Sequence, residues 1–179
     1  MSRIPTPVSI DAAPAASRPL LEAVKKQIGS VPNLFRLTAT SPAALEGYLG
    51  FRSALGAGAL DAATRERVAL AVSQINRCGY CLAAHTYIGK HVAKLGDAEI
   101  VANRAGHSTD VKANAAVRFA VKVTNARGAV SEADLEDVRT AGYADAEIVE
   151  IVAHVALNTL TNYINEVFKT DVDFPTVPV

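Results

Sequence analysis

Apolar residues recur at helical spacing along nearly the whole chain, and no segment convincingly shows the two-residue alternation of a strand. Leu20, Leu21, Val24 and Ile28 form a first stripe, capped by Ser17 and stopped by Gly29. Val31-Pro32-Asn33 forces a turn before a short helix from Leu34 to Thr40. Ser41-Pro42, a cap with proline at the first helical position, then opens a helix to about Ala57. Asp61 caps the next helix, in which Val68, Ala69, Val72 and Ile75 form a core stripe. Arg65 and Arg67 fall nearer solvent there, and Glu66 lies off the stripe, free to face something polar. A further helix runs through Leu82, Ala83, Ile88, Val92 and Leu95 to Gly96. Asp97 caps a shorter one to about Ala105, and His107-Ser108-Thr109 leads into Val111 to Arg127, ended by Gly128. Ser131 with Asp134 resembles a capping box for Glu132 to Thr140. The last helix begins near Asp145. Its apolar arc, from Ile148 to Phe168, is wide enough to be buried against both its own domain and another chain.

These elements predict an all-α bundle in a single domain over residues 1–179. A proline-rich N-terminal arm (1–16) and a proline-punctuated C-terminal tail (171–179) flank it. The pentapeptide Asp97-Ala98-Glu99-Ile100-Val101 recurs as Asp145-Ala146-Glu147-Ile148-Val149. It reads as two helix starts meeting the same capping problem, with an internal duplication as the alternative.

Composition narrows the function. With 18 basic and 18 acidic residues the formal net charge is zero, and there is no basic block to bind a polyanion, so a nucleic-acid partner is not expected. No apolar run is long enough to span a bilayer and the N-terminus lacks a signal-like segment, so a cytoplasmic protein without a membrane partner is expected. In that compartment the chain's two cysteines are expected to be catalytic, redox-active or metal-binding rather than a structural staple.

Those cysteines, Cys78 and Cys81, form a C-x-x-C pair, with His85 four residues beyond the second and Glu66 twelve before the first. At 3.6 residues per turn Cys78, Cys81 and His85 share one helix face. A straight helix would leave Glu66 roughly 18 Å from Cys78. A break after Asn76-Arg77 instead makes a helical hairpin and brings position 66 opposite the mid-80s, which makes His85 the natural partner of Glu66. A thiol reacts as its thiolate, and an ordinary cysteine at pKa ~8.5 is mostly protonated at neutral pH. Two features oppose this: Cys78 lies at or near a helix N-terminus, and Cys81 has His85 one turn on as a base. Glu66 would fix the imidazole tautomer, giving nucleophile, base and orienter, with the second thiol resolving a sulfenic acid to a disulfide. His85 favours Cys81 as the attacking thiol; the reverse order stays open.

Other readings of the same residues exist. Two thiolates, an imidazole and a carboxylate are zinc-ligand types, although structural zinc usually draws on two separated pairs. The cysteines could be small buried hydrophobes and His85 a core histidine. The pair could also switch a redox sensor or interaction protein through its disulfide. A thioredoxin-like fold is excluded by the lack of a βαβ pattern. His91 points away from His85, and His107 falls in a loop. His154, Asn158 and Asn162, with Asn165 close by, make a polar stripe on an apolar helix and read as a paired structural network. Tyr80 lines the pocket or packs.

Glu66 with Cys78-Gly79-Tyr80-Cys81 and His85 resembles the signature of the alkylhydroperoxidase D (AhpD-like) family, within the carboxymuconolactone decarboxylase superfamily. Val31-Pro32-Asn33-Leu34-Phe35, Asn158-Thr159-Leu160-Thr161-Asn162-Tyr163 and Asp173-Phe174-Pro175 resemble its peroxidase-related branch. The resemblance implies an all-helical subunit assembling as a homotrimer or homohexamer. It implies a cysteine pair that reduces hydroperoxides without flavin or haem and is recycled by a dithiol such as a lipoyl group, with Glu66 and His85 as a proton relay. Some members of that family carry a second histidine between the cysteines, where Tyr80 stands here. A phenol at pKa ~10 does not shuttle protons near neutrality. The decarboxylase branch lacks the cysteine pair, which argues against a lactone decarboxylase.

Overall fold

In the computed structural model, which describes residues 2–179, the stripes become nine α-helices, and these residues include no strand. They are α1 (Arg18–Ile28), α2 (Asn33–Thr38), α3 (Pro42–Gly56), α4 (Ala62–Ile75), α5 (Gly79–His91), α6 (Asp97–Arg104), α7 (Val111–Ala126), α8 (Glu132–Thr140) and α9 (Asp145–Phe168). Several predicted caps form: the side chains of Ser41 and Asp61 accept from Ala44 and Thr64 backbone N–H groups, and Ser131 and Asp134 close a capping box. Gly29 ends α1 in the left-handed region at φ +81°.

Three local expectations are corrected. Ser17 precedes α1, but its hydroxyl donates to the Ala39 carbonyl (2.7 Å), tying α1 to the end of α2 instead of capping. Helix α5 ends at His91, not near Leu95: Lys94 turns left-handed (φ +59°) and the Leu95 N–H folds back to the Gly89 carbonyl, which exposes Val92 and buries Leu95. Helix α6 begins at Asp97, but Gly96 occupies the cap position and no side chain caps it.

The repeated pentapeptide sits at two helix starts with different outcomes. Glu147 reaches back to the Ala144 N–H (2.8 Å). Glu99 is buried and instead accepts from Arg67, Asn103, Ser108 and Thr109, bonds that hold its carboxyl far below the usual range despite burial.

Helix α4 is the centre of the bundle, packed against α5, α6, α7 and α9. One side joins a core of Phe119, Ala120, Val138, Ile148 and Ile151. A second core gathers Leu21, Leu34, Phe35, Leu45 and Tyr48 around Cys78 and Cys81. Both chain ends fold back on this body. The Arg3 N–H donates to the Phe168 carbonyl (2.7 Å), and Asp173 accepts from the Asn33 N–H (2.7 Å). No helix of the described residues is long and apolar enough to cross a membrane.

Candidate active site

The geometry of the site begins with how α4 stops. Arg77 N–H donates to the Gln74 carbonyl (3.1 Å) and Cys78 N–H to the Ser73 carbonyl (3.0 Å), with Arg77 left-handed at φ +54°: a Schellman closure built without glycine. Such a φ costs a non-glycine residue about 1 kcal/mol, which the two closing bonds offset. The residue that completes this closure, Cys78, also starts α5. Its Sγ accepts the Cys81 N–H at 3.3 Å and so serves as the N-cap. The reversal sends α5 back along α4 and sets His85 Nδ1 2.8 Å from Glu66 Oε2.

Burial by itself would lower the His85 pKa, but the charge and hydrogen bond of Glu66 outweigh it and raise it above the ordinary value. Nδ1–H therefore donates to the carboxylate, and Nε2 is left for other work.

Both thiols are free and buried, yet their surroundings differ. Burial would raise the Cys81 pKa. The hydrogen bond from the Cys78 thiol, the positive His85 and the amide of Asn165, whose Nδ2 donates to Sγ at 3.2 Å, more than reverse this and bring it down to about 7. Cys78 is the donor of that thiol pair. Its donated bond and its complete burial push its pKa far up, so the helix start does not activate the residue that caps it.

Cys81 reaches a cavity of about 450 Å³ whose wall also carries Tyr48, Arg52, Glu66, His85 and His154. Cys78 lies in the apolar core. Burial raises the Tyr48 phenol to about 12.

The polar face of α9 looks onto this hairpin. Asn162 donates to Ser73 Oγ (3.3 Å) and accepts from Asn76 Nδ2 (2.9 Å), pinning the end of α4. Asn158 donates to the His154 carbonyl (2.8 Å). The paired network expected of this stripe stops there, because the His154 ring bonds to no described residue. Its Nε2 is enclosed, and burial lowers its pKa to about 4.

Tyr80, between the cysteines, both lines the cavity and is clamped. Its hydroxyl donates to Asp173 Oδ1 (2.8 Å) and accepts from the Leu34 N–H (3.1 Å), and Phe174 meets its ring edge-on with centroids 5.8 Å apart. Burial raises its pKa, so the phenol stays protonated.

The structure thus brings Glu66, Cys81 and His85 to one cavity, with Cys78 immediately behind. His91 packs at a tilt against the Tyr87 ring at the surface, and His107 is exposed. Among the described residues no three His, Cys, Asp or Glu side chains are grouped to hold a metal ion. Sequence reasoning missed Tyr48 and Arg52, which come from α3 far upstream, and the bond from Asn165 to Cys81. Only the polar stripe on α9 hinted at the last.

Residues 42–126, α3 through α7, match the carboxymuconolactone decarboxylase family. A search of curated proteins found no match. Among solved structures the chain is similar to the alkylhydroperoxidase AhpD core of an uncharacterized peroxidase-related protein from Ralstonia eutropha, at 28% identity and a TM-score of 0.86, covering 96% of this chain and 92% of that one. It is also similar to an uncharacterized peroxidase-related protein from a Silicibacter species, at 27% identity and a TM-score of 0.81, covering 95% and 91%. A cysteine-to-alanine variant of the debrominase Bmp8 in complex with 2,3,4-tribromopyrrole shares the fold, with a TM-score of 0.80 at 17% identity over 97% and 94% of the two chains.

Proposed function

We propose that the chain, whose residues 42–126 match the carboxymuconolactone decarboxylase family, is an AhpD-like thiol-dependent peroxidase of organic hydroperoxides, recycled by an external dithiol. The observation that carries this is the asymmetry of the thiols. Cys81, with its lowered pKa, faces a cavity beside the Glu66–His85 pair, and a protonated Cys78 stands directly against it.

Cys81 thiolate attacks the terminal oxygen of the hydroperoxide. An S–O bond forms, the O–O bond breaks, and the leaving alkoxide takes a proton from His85 Nε2 while Glu66 holds Nδ1. Cys81 becomes a sulfenic acid and the product is an alcohol. The Cys78 sulfur then attacks the Cys81 sulfur, expelling hydroxide, which leaves as water with the Cys78 proton. A dithiol of the lipoyl type reduces the resulting disulfide by two thiol exchanges and becomes a disulfide itself. Tyr80, fixed to Asp173 and Leu34, positions the loop between the thiols and moves no proton.

The proposed setting is the cytoplasm, where reductants keep such a pair as thiols. The proposed assembly is a homotrimer or homohexamer. Its support is an exposed stripe on α9 of Val149, Val152, Leu160, Tyr163 and Val167, which a partner copy would cover.

The experiment mixes the reduced protein with cumene hydroperoxide, counts free thiols and then adds dihydrolipoamide. The loss of two thiols per chain followed by steady turnover is expected. Unchanged thiols, or undiminished loss in both Cys78→Ser and Cys81→Ser, would end the reading. Oxidation that stalls after one round favours a redox sensor, whose switch would be the link from Tyr80 to the C-terminal tail.

A further inference from the structure

Two polar groups on the cavity wall have no adequate partner. Arg52, on α3, makes no ion pair among the described residues. Its one hydrogen bond, Nη1 to Gln27 Oε1, is long at 3.4 Å. The other guanidinium of the wall, Arg65, is occupied with the Leu55 and Gly56 carbonyls (3.3 and 2.9 Å), which close the end of α3. The nearby carboxylates are occupied too, Glu66 by His85 and Glu150 by the Ala59 and Leu60 N–H groups (2.9 and 2.8 Å). Arg52 therefore keeps most of its fork of N–H donors free, close enough for its charge to act on both Tyr48 and His85. His154, on α9, is 5% exposed and lines the same space, with Nε2 enclosed and unbonded.

A buried polar group without a partner is costly, as at His154, whereas Arg52 is half-buried and keeps its charge at the cavity mouth without a counter-ion among the described residues; together they describe the ligand that would satisfy both. The cavity, at about 450 Å³, has room for roughly fifteen waters at ~30 Å³ each, far more than hydrogen peroxide fills.

We propose that the substrate is an organic hydroperoxide bearing a carboxylate: Arg52 binds the carboxylate, His154 hydrogen-bonds the same molecule, and the peroxide lies against Cys81. This rests on the peroxidase reading for its reactive end and on Arg52 for its anionic end. A guanidinium takes a carboxylate in two parallel N–H···O bonds, which fixes orientation as well as affinity and so presents one end of the molecule to the thiol. The bond that Arg52 donates to Gln27 Oε1 is weak enough to yield to it.

The test is equilibrium binding by calorimetry to the reduced protein, with the alcohol product of a carboxyl-substituted cumene hydroperoxide and with the methyl ester of that alcohol. The acid is expected to bind at least about tenfold more tightly than the ester. That advantage should shrink as salt rises, largely vanish in Arg52→Gln and partly survive in Arg52→Lys. His154→Phe weakens both ligands severalfold. Equal affinity for acid and ester in the unmodified protein, or an undiminished preference in Arg52→Gln, overturns the assignment. Unaltered binding in His154→Phe removes that residue from it. Consumption of the two parent hydroperoxides, measured in parallel, keeps the readings apart. Acid-selective binding without turnover upholds the anion site and rejects the peroxidase, whereas turnover without acid-selective binding does the reverse.

Discussion

Cys78 and Cys81 are three residues apart in one motif, and their environments are opposite. Cys78 occupies the position that helix electrostatics would favour for a thiolate, the start of α5, yet burial and the bond it donates keep it protonated. Cys81 lies a turn inside the helix and is nearly as buried at 3% exposure, yet it is the thiol whose pKa falls, to about 7. The partners decide: a thiol donor from Cys78, an amide from Asn165 and the charge of His85 all stabilise the anion on Cys81. Position along a helix is thus a weaker lever on a thiol than the donors aimed at it.

The sharpest way to break this contrast is alkylation by iodoacetamide. At pH 7 one thiol per chain should react fast, and Cys81→Ser should remove that phase, slowing alkylation at least about tenfold, while Cys78→Ser leaves a fast-reacting thiol. The pH dependence has a definite sign. The thiolate is the reactive form and its pKa is lowered, so the rate climbs as pH rises through about 7 and levels above it. A fast phase with a midpoint at or above ~8.5 would abolish the contrast.

Glu66→Gln tests the next layer. The Glu66 carboxylate raises the His85 pKa; without it burial lowers that pKa, the attraction of His85 for the thiolate weakens, and the Cys81 midpoint moves upward. A pH-rate profile of alkylation reads this directly, and an unmoved midpoint would show that the amide and thiol donors suffice alone.

The smallest effect concerns the structural task of Cys78. Because its Sγ caps α5 from within the apolar core, Cys78→Ala should cost about 1 kcal/mol and lower the melting temperature by about 2–4 °C, whereas Cys78→Ser, which keeps the cap, should lower it less. Equal melting temperatures for the two variants would show that the cap contributes little.

How much of this was legible depended on the range of the interaction. The breaks between helices were readable because glycines, prolines and caps act within a few residues: Gly29, Ser41-Pro42, Asp61 and the Ser131–Asp134 box behave as their positions predict. The pairing of Glu66 with His85 was readable as well, since one turn after Arg77 leaves an antiparallel return little freedom. The overrun of α5 shows the limit. Val92 fits the helical stripe, but burying Leu95 under Gly89 and Ile100 required the chain to turn at Lys94, and that depends on residues the stripe does not contain. The α9 stripe shows another. Its residues read alike, but Asn162 and the Nδ2 of Asn165 meet α4 and α5 and are paired, whereas His154 faces the cavity and its ring is not.

What the sequence by itself determined is the helical class, the hairpin and the four chemical groups it carries, because periodicity, capping and spacing are local properties of the chain. What only the tertiary structure decided is which thiol is activated and what surrounds it. Asn165 reaches Cys81 from 84 positions away, Asp173 holds Tyr80 from 93, and Arg52 enters from α3, so the electrostatics of the site arise from packing between distant helices. A buried charge responds to what lies within a few ångströms in space, and sequence distance carries no information about that.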